Sequence, residues 1–160
     1  MQVGCGSRLG GEVAVHTLRQ WCFRHKDDPN KVVVKIDFKN AFNCIDRSAF
    51  FREVAEFMPG LCRWVEWCYG ASAHLVFGRH LLSSQSGLQQ GDPLGPLLFS
   101  LALRPVATEL VGLGRDGNAG RKLDLCFFYL DDGFLAGDLE IVSQALAQLR
   151  RACPALGLTL

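Results

Sequence analysis

The stretch "FFYLDDGFLAG" (127–137) sets two adjacent aspartates, Asp131 and Asp132, among apolar, aromatic and glycine residues. Adjacent carboxylates repel each other and resist leaving water. The plain reading is a solvated turn, where aspartate is common. Turn aspartates normally keep polar neighbours, however, and here the arms are Cys126, Phe127, Phe128, Tyr129 and Leu130 before the pair and Phe134 and Leu135 after it. Two carboxylates presented by an apolar hairpin are strained unless a cation neutralises them. Oxygen-only ligands select a hard ion, Mg²⁺ or Mn²⁺. The metal-binding reading therefore stands ahead of the solvated turn.

A third carboxylate extends that reading. "KVVVKIDF" (31–38) is short and β-branched, which predicts a buried strand, and Asp37 lies at its end between Ile36 and Phe38. If this strand pairs beside the 124–137 hairpin, Asp37, Asp131 and Asp132 meet at one sheet end. Three carboxylates suffice to hold two divalent ions roughly 3.5–4 Å apart, an arrangement that serves phosphoryl transfer. Asp46, next to Arg47, reads as a helix cap or an ion pair. In "QQGDP" (89–93), Gly91 permits close backbone approach to a ligand ahead of a helix N-terminus, although plain capping explains the same residues. "GCGSRLG" (4–10) misses the dinucleotide pattern and follows no strand. The four histidines show no metal spacing, and His16 is expected on the core side of a helix.

The rest of the chain supplies a frame. With 160 residues, 49% of them hydrophobic and 21% charged, it is a globular domain or part of one. A net charge of +1 gives no overall basic surface for nucleic acid. The longest apolar run is too short for a bilayer, and the N-terminus lacks a signal-peptide pattern. Seven cysteines without a C-x-x-C pair read as buried thiols of a reducing compartment, nucleus or cytoplasm. A helix is expected after Gly11, with Val13, Val15, Leu18, Trp21 and Cys22 on its apolar face. Two more follow at 48–58 and 61–71, then a hairpin over 74–83 turning at Gly78-Arg79. A long helix is capped by Asp92 with Pro93 in its first position, a glycine-rich connection spans 110–122, and a last helix covers 139–153. Few, buried strands interleaved with helices predict one sheet covered by helices.

The combination of motifs resembles the palm of reverse transcriptases. "VVVKIDFKNAFNCIDR" (32–47), "SGLQQGDPLGPLLFSLAL" (86–103) and "FYLDDGFLAG" (128–137) are similar to the three palm motifs of that family in order and spacing, most of all in the non-LTR retrotransposon (LINE-like) type. "GCGSRLGGEVAVHTLR" (4–19) resembles the segment that precedes the first motif there. The resemblance implies an α+β polymerase palm, a small antiparallel sheet packed with helices on one face, with part of the fingers. Residues 1–30 would be the end of a fingers-like segment and 31–160 the palm, with no thumb. It implies RNA-directed DNA polymerisation, with dNTPs added to a DNA primer on an RNA template by two Mg²⁺ ions (or Mn²⁺) held by Asp37, Asp131 and Asp132. Nucleotide contacts are implied for Phe38, Phe42, Gln90, Gly91 and Tyr129. Phe42 falls where the family places an aromatic under the incoming sugar, and Tyr129 beside the primer end. Fingers, thumb or other retroelement domains would be the missing partners. The alternatives are an RNA-templated RNA polymerase palm and a catalytically silent remnant. Asn43, where many relatives have aspartate, and Gly95, where serine is common, are departures at positions that do not bind metal.

Overall fold

The computed structural model describes residues 2–113 and 122–160. Helix α1 (Gly10–Arg24) leads into strand β1 (Lys31–Ile36), the short helix α2 (Ala41–Cys44), α3 (Arg47–Phe57) and α4 (Cys62–Tyr69). The hairpin β2 (Ala73–Phe77) and β3 (His80–Ser84) precedes the long helix α5 (Gly95–Gly112), strands β4 (Leu125–Tyr129) and β5 (Asp132–Asp138), and helix α6 (Leu139–Ala152). Most of the expected glycine-rich connection lies outside the described residues.

The main sheet is antiparallel with the order β1-β5-β4. Its register pairs Lys31 with Asp138 and Ile36 with Gly133 on one side of β5, and Leu125 with Ala136 and Tyr129 with Asp132 on the other. Alternation along the strands then divides the sheet into two faces. Val32, Val34, Ile36, Phe128 and Leu135 join the main core, which α3, α5 and α6 complete with Phe50, Val54, Leu98, Phe99, Leu103, Ile141 and Leu149. The other face carries α1, where Val3, Ala14 and Phe127 form a small second cluster with Leu18, Leu125 and Phe134 beside it. The fold class is α+β, as the resemblance to a polymerase palm implies.

Several local expectations need correction. Val13 and Val15 are 53% and 55% exposed, because α1 packs inward through small residues, Ala14 beside Phe127 of β4 and Gly10 against the Val3 backbone. A Cβ at Gly10 would overlap the Val3 carbonyl. His16 is exposed rather than in the core. Of the cysteines, all outside disulfides, Cys153 alone is fully buried, and Cys22 and Cys44 are exposed on helix surfaces. The long helix starts at Gly95 with Pro96 in its first turn, not at Pro93. Asp92 sits before it, where its carboxylate accepts from the Leu94 N–H (2.9 Å) and its carbonyl from the Gly95 N–H (3.0 Å). β1 ends at Ile36, so Asp37 and Phe38 leave the ladder. Asp46 does cap α3, accepting from the Ser48 N–H at 2.7 Å, and Arg47 takes partners elsewhere. The β2–β3 hairpin turns at Gly78 and Arg79 as expected. No helix among the described residues is long and apolar enough to cross a membrane.

Candidate active site at the 129–132 turn

The tip of the β4–β5 hairpin is a two-residue turn, Leu130 and Asp131, closed by the pair Tyr129–Asp132. Leu130 is left-handed (φ 56°), a conformation that costs a leucine about 1 kcal/mol. Its backbone is held from outside: the Leu130 N–H donates to Gln2 Oε1 (2.8 Å) and Gln2 Nε2 donates to the Leu130 carbonyl (3.3 Å). The Val3 N–H donates to the Phe128 carbonyl at 2.7 Å, so the N-terminal segment runs along the hairpin's edge. Behind the turn, Gly133 lies across from Phe128. A Cβ there would come within 2.5 Å of Phe128 Cε1 and 3.2 Å of Ile36 Cβ. This glycine lets the aromatic ring close over the strand and leaves the aspartates standing at the edge.

Asp37 follows Ile36, whose partner is Gly133, the residue after Asp132, so Asp37 leaves the sheet at the same end as the turn. By alternation Lys35, Asp132 and Tyr129 belong to the face away from the main core. Lys35 Nζ lies 3.0 Å from Asp132 Oδ1. Its ammonium is held above its usual pKa by that hydrogen bond first, then by the charge of Asp132, with smaller contributions from Asp37 and Asp131. As the side chains stand, no three Asp, Glu, His or Cys among the described residues are grouped to hold a metal ion. The donor chemistry nevertheless suits a hard divalent ion, and the ammonium shows that a positive charge is drawn to this place. By donor type the carboxylates of Asp37, Asp131 and Asp132 fit Mg²⁺ or Mn²⁺.

The sequence profile of the family "Reverse transcriptase (RNA-dependent DNA polymerase)" matches residues 11–160. The chain belongs to the reverse transcriptase family. No curated protein matches it significantly. Among solved structures it is similar to the apo telomerase from Candida tropicalis truncated from its C-terminal domain, with a TM-score of 0.66 at 14% identity over 98% of this chain. It is also similar to the telomerase from Candida albicans, in complex with a TWJ fragment of telomeric RNA, at 0.63 and 14% over 91% of this chain. This reverse transcriptase chain spans 34% and 28% of those two proteins. At such identity the likeness is one of fold.

The remaining residues expected to contact nucleotide stand in different settings. Phe38 is 3% exposed and belongs to the main core. Phe42 is half-buried and stacks on Phe99 at the start of α5, with ring centroids 4.8 Å apart and planes 16° apart. The first turn of α5 thus fixes its ring. Gln90 and Gly91 are exposed in the loop before α5, and Gly91 has φ 88°, which favours glycine. Tyr129 is 46% exposed, with its ring edge against Gly11 of α1.

Two residues that sequence reading passes over position this loop. Tyr69 donates its hydroxyl to the Asp92 carboxylate and accepts from the Gln89 N–H at 3.4 Å. Burial, and then the Asp92 carboxylate, push its phenol up to about 12, so it remains a donor throughout the neutral range. Arg47 donates to the carbonyls of Gly87, Tyr69, Ala71, Ser84 and Ser86 and to Ser84 Oγ, at 3.1–3.4 Å. Its planar fork ties α3, the end of α4, the β3 strand and the 84–87 loop together. Gly87 (φ 68°) packs so tightly on Asn43 that any side chain there would overlap the Asn43 carbonyl. The segment after Asp37 is fastened as well, since the Lys39 N–H donates to the Thr159 carbonyl and the Asp46 N–H to that of Leu156, both at 2.8 Å.

Proposed function

We propose that this chain is the catalytic palm of an RNA-directed DNA polymerase of the non-LTR retrotransposon type, adding deoxynucleotides to a DNA primer on an RNA template. Residues 31–160 form the palm in this reading, and residues 1–30 are the end of a fingers-like segment that buttresses its outer face. The observation that supports it is the antiparallel pairing of β1 with β5, in which Ile36, just before Asp37, lies opposite Gly133, just after Asp132, within a chain of this family. The motif residues "FKNAFN" and "YLDD" support the retrotransposon type; the telomerase likeness, being one of fold, does not distinguish it.

Asp37, Asp131 and Asp132 would hold two Mg²⁺ or Mn²⁺ ions. Bound there, such ions supply activation of the primer hydroxyl and neutralisation of the leaving phosphate. The chain's own residues supply position. Phe42, braced by Phe99, presents a ring edge to the sugar; Gln90 and the Gly91 backbone face base and phosphate; Tyr129 stands beside the primer end. The stiffness of the Gln90–Gly91 loop rests on Tyr69 and Arg47. A second reading, a catalytically silent module, takes support from the Lys35–Asp132 ion pair and from carboxylates that do not close into a ligand set.

The test is primer extension on an RNA template with either deoxy- or ribonucleotides at high protein concentration and with Mn²⁺. Deoxynucleotide incorporation that depends on the template is expected; a preference for ribonucleotides would favour an RNA polymerase instead. Phe42→Val is expected to raise the ratio of ribo- to deoxynucleotide incorporation by about tenfold or more, because it removes ring bulk next to the 2′ position. The same substitution loses the stack on Phe99, so melting is expected to fall by about 1–2 kcal/mol of stability. An unchanged incorporation ratio with lowered melting would make Phe42 packing alone.

A further inference from the structure

We propose that Lys35 is the internal counter-ion of the carboxylate site, standing where a divalent cation would bind and giving way when one does. The inference rests on the assignment of Asp37, Asp131 and Asp132 as metal ligands. Lys35 pairs in register with Phe134, which places it diagonally from Asp132 on the same face of the sheet, two residues before Asp37 in the chain. Its ammonium touches Asp132 at 3.0 Å.

The contrast with Lys31, on the same face of β1, shows why Lys35 is the movable one. Lys31 Nζ bridges Asp124 at 2.9 Å and Asp138 at 3.2 Å, and its side chain is 15% exposed. Trp21 Nε1 donates to the same Asp124 carboxylate at 3.2 Å, so that lysine is built into the contact between α1 and the sheet. Among the described residues Lys35 has one carboxylate at contact distance, and its side chain is 58% exposed. A compact ammonium on a flexible four-carbon stem can swing into solvent at little steric cost.

Three carboxylates at a sheet edge repel one another when no metal is bound. One ammonium relieves part of that repulsion. A divalent ion carries twice the charge and accepts several oxygens at once, so it wins the site, but it must first displace the lysine. Lys35 therefore stabilises the metal-free protein and weakens metal binding, two consequences of one contact.

The test compares Mn²⁺ binding to the full chain, followed by the electron paramagnetic resonance of free Mn²⁺, for wild type, Lys35→Met and Lys35→Arg. Lys35→Met keeps the stem without the charge and is expected to bind Mn²⁺ about three- to fivefold more tightly, the factor expected of a half-exposed ion pair. Lys35→Arg should stay near wild type. In EDTA, Lys35→Met should melt below wild type, and adding Asp132→Asn to it should recover part of the loss. Equal or weaker Mn²⁺ binding by Lys35→Met, or unchanged melting in EDTA, overturns the counter-ion role and leaves the metal site standing. No binding by wild type or Lys35→Met beyond that of an Asp37→Asn/Asp132→Asn control overturns the metal assignment, and the counter-ion role with it.

Discussion

Asn in place of Asp132 is expected to lower RNA-templated extension by about three orders of magnitude or more while leaving the fold intact. The substitution keeps the shape and one acceptor oxygen but removes the negative charge a hard cation requires. Asp132 begins β5 opposite Tyr129, and no backbone pairing depends on its side chain. Its one direct ion pair, with Lys35, is half-exposed on both sides, and such pairs contribute little to stability. Loss of that pair is offset by relief of repulsion from Asp131 and Asp37. Extension assays and melting curves on the same preparation separate the two effects. Extension unaffected by Asp132→Asn would remove Asp132 from the catalytic set.

Gly133→Val is expected to have the largest effect on stability, about 3 kcal/mol or more, read as a fall in melting temperature of roughly 6–12 °C. The added Cβ would meet the Phe128 ring at 2.5 and 2.7 Å and the Ile36 side chain at 3.2 Å. Neither neighbour has room to move, since Phe128 is fully buried and Ile36 is 2% exposed. The β1–β5–β4 register must then open at the pair Ile36–Gly133, next to the aspartates, so metal binding should weaken with stability. A Gly133→Ala variant shows the same direction with a smaller fall. Wild-type melting for Gly133→Val would mean that Phe128 packs elsewhere and that the register behind the turn is wrong.

What could be read from sequence follows the range over which each signal acts. The β-branched run at 32–34, the glycine at the β2–β3 turn and the Asp-Asp hairpin carry local patterns, and each became the expected element. The expected pairing of the strand before Asp37 with the 124–137 hairpin is met by the β1–β5 register, which brings Ile36 opposite Gly133. α1 was harder, because its inward face is marked by Gly10 and Ala14 and not by its valines. Close approach to β4 selects the absence of side chain, which a hydrophobic pattern does not display. The start of α5 was displaced by two residues because Asp92 has two uses, capping and accepting from Tyr69, and the tertiary contact decided between them. Lys35, Arg47 and Gln2 act through partners far along the chain or across the sheet, so no periodicity announces them. Gly133 did leave a signal, a glycine inside a strand, which marks a close approach of neighbours.

The most direct measurement of the central claim is the position of Mn²⁺ by anomalous scattering in crystals grown with that ion. The account predicts manganese bound by carboxylate oxygens of Asp37, Asp131 and Asp132 at roughly 2.0–2.2 Å, with Lys35 Nζ withdrawn from Asp132. Manganese bound elsewhere, or none at this edge when the ion is saturating, would contradict it.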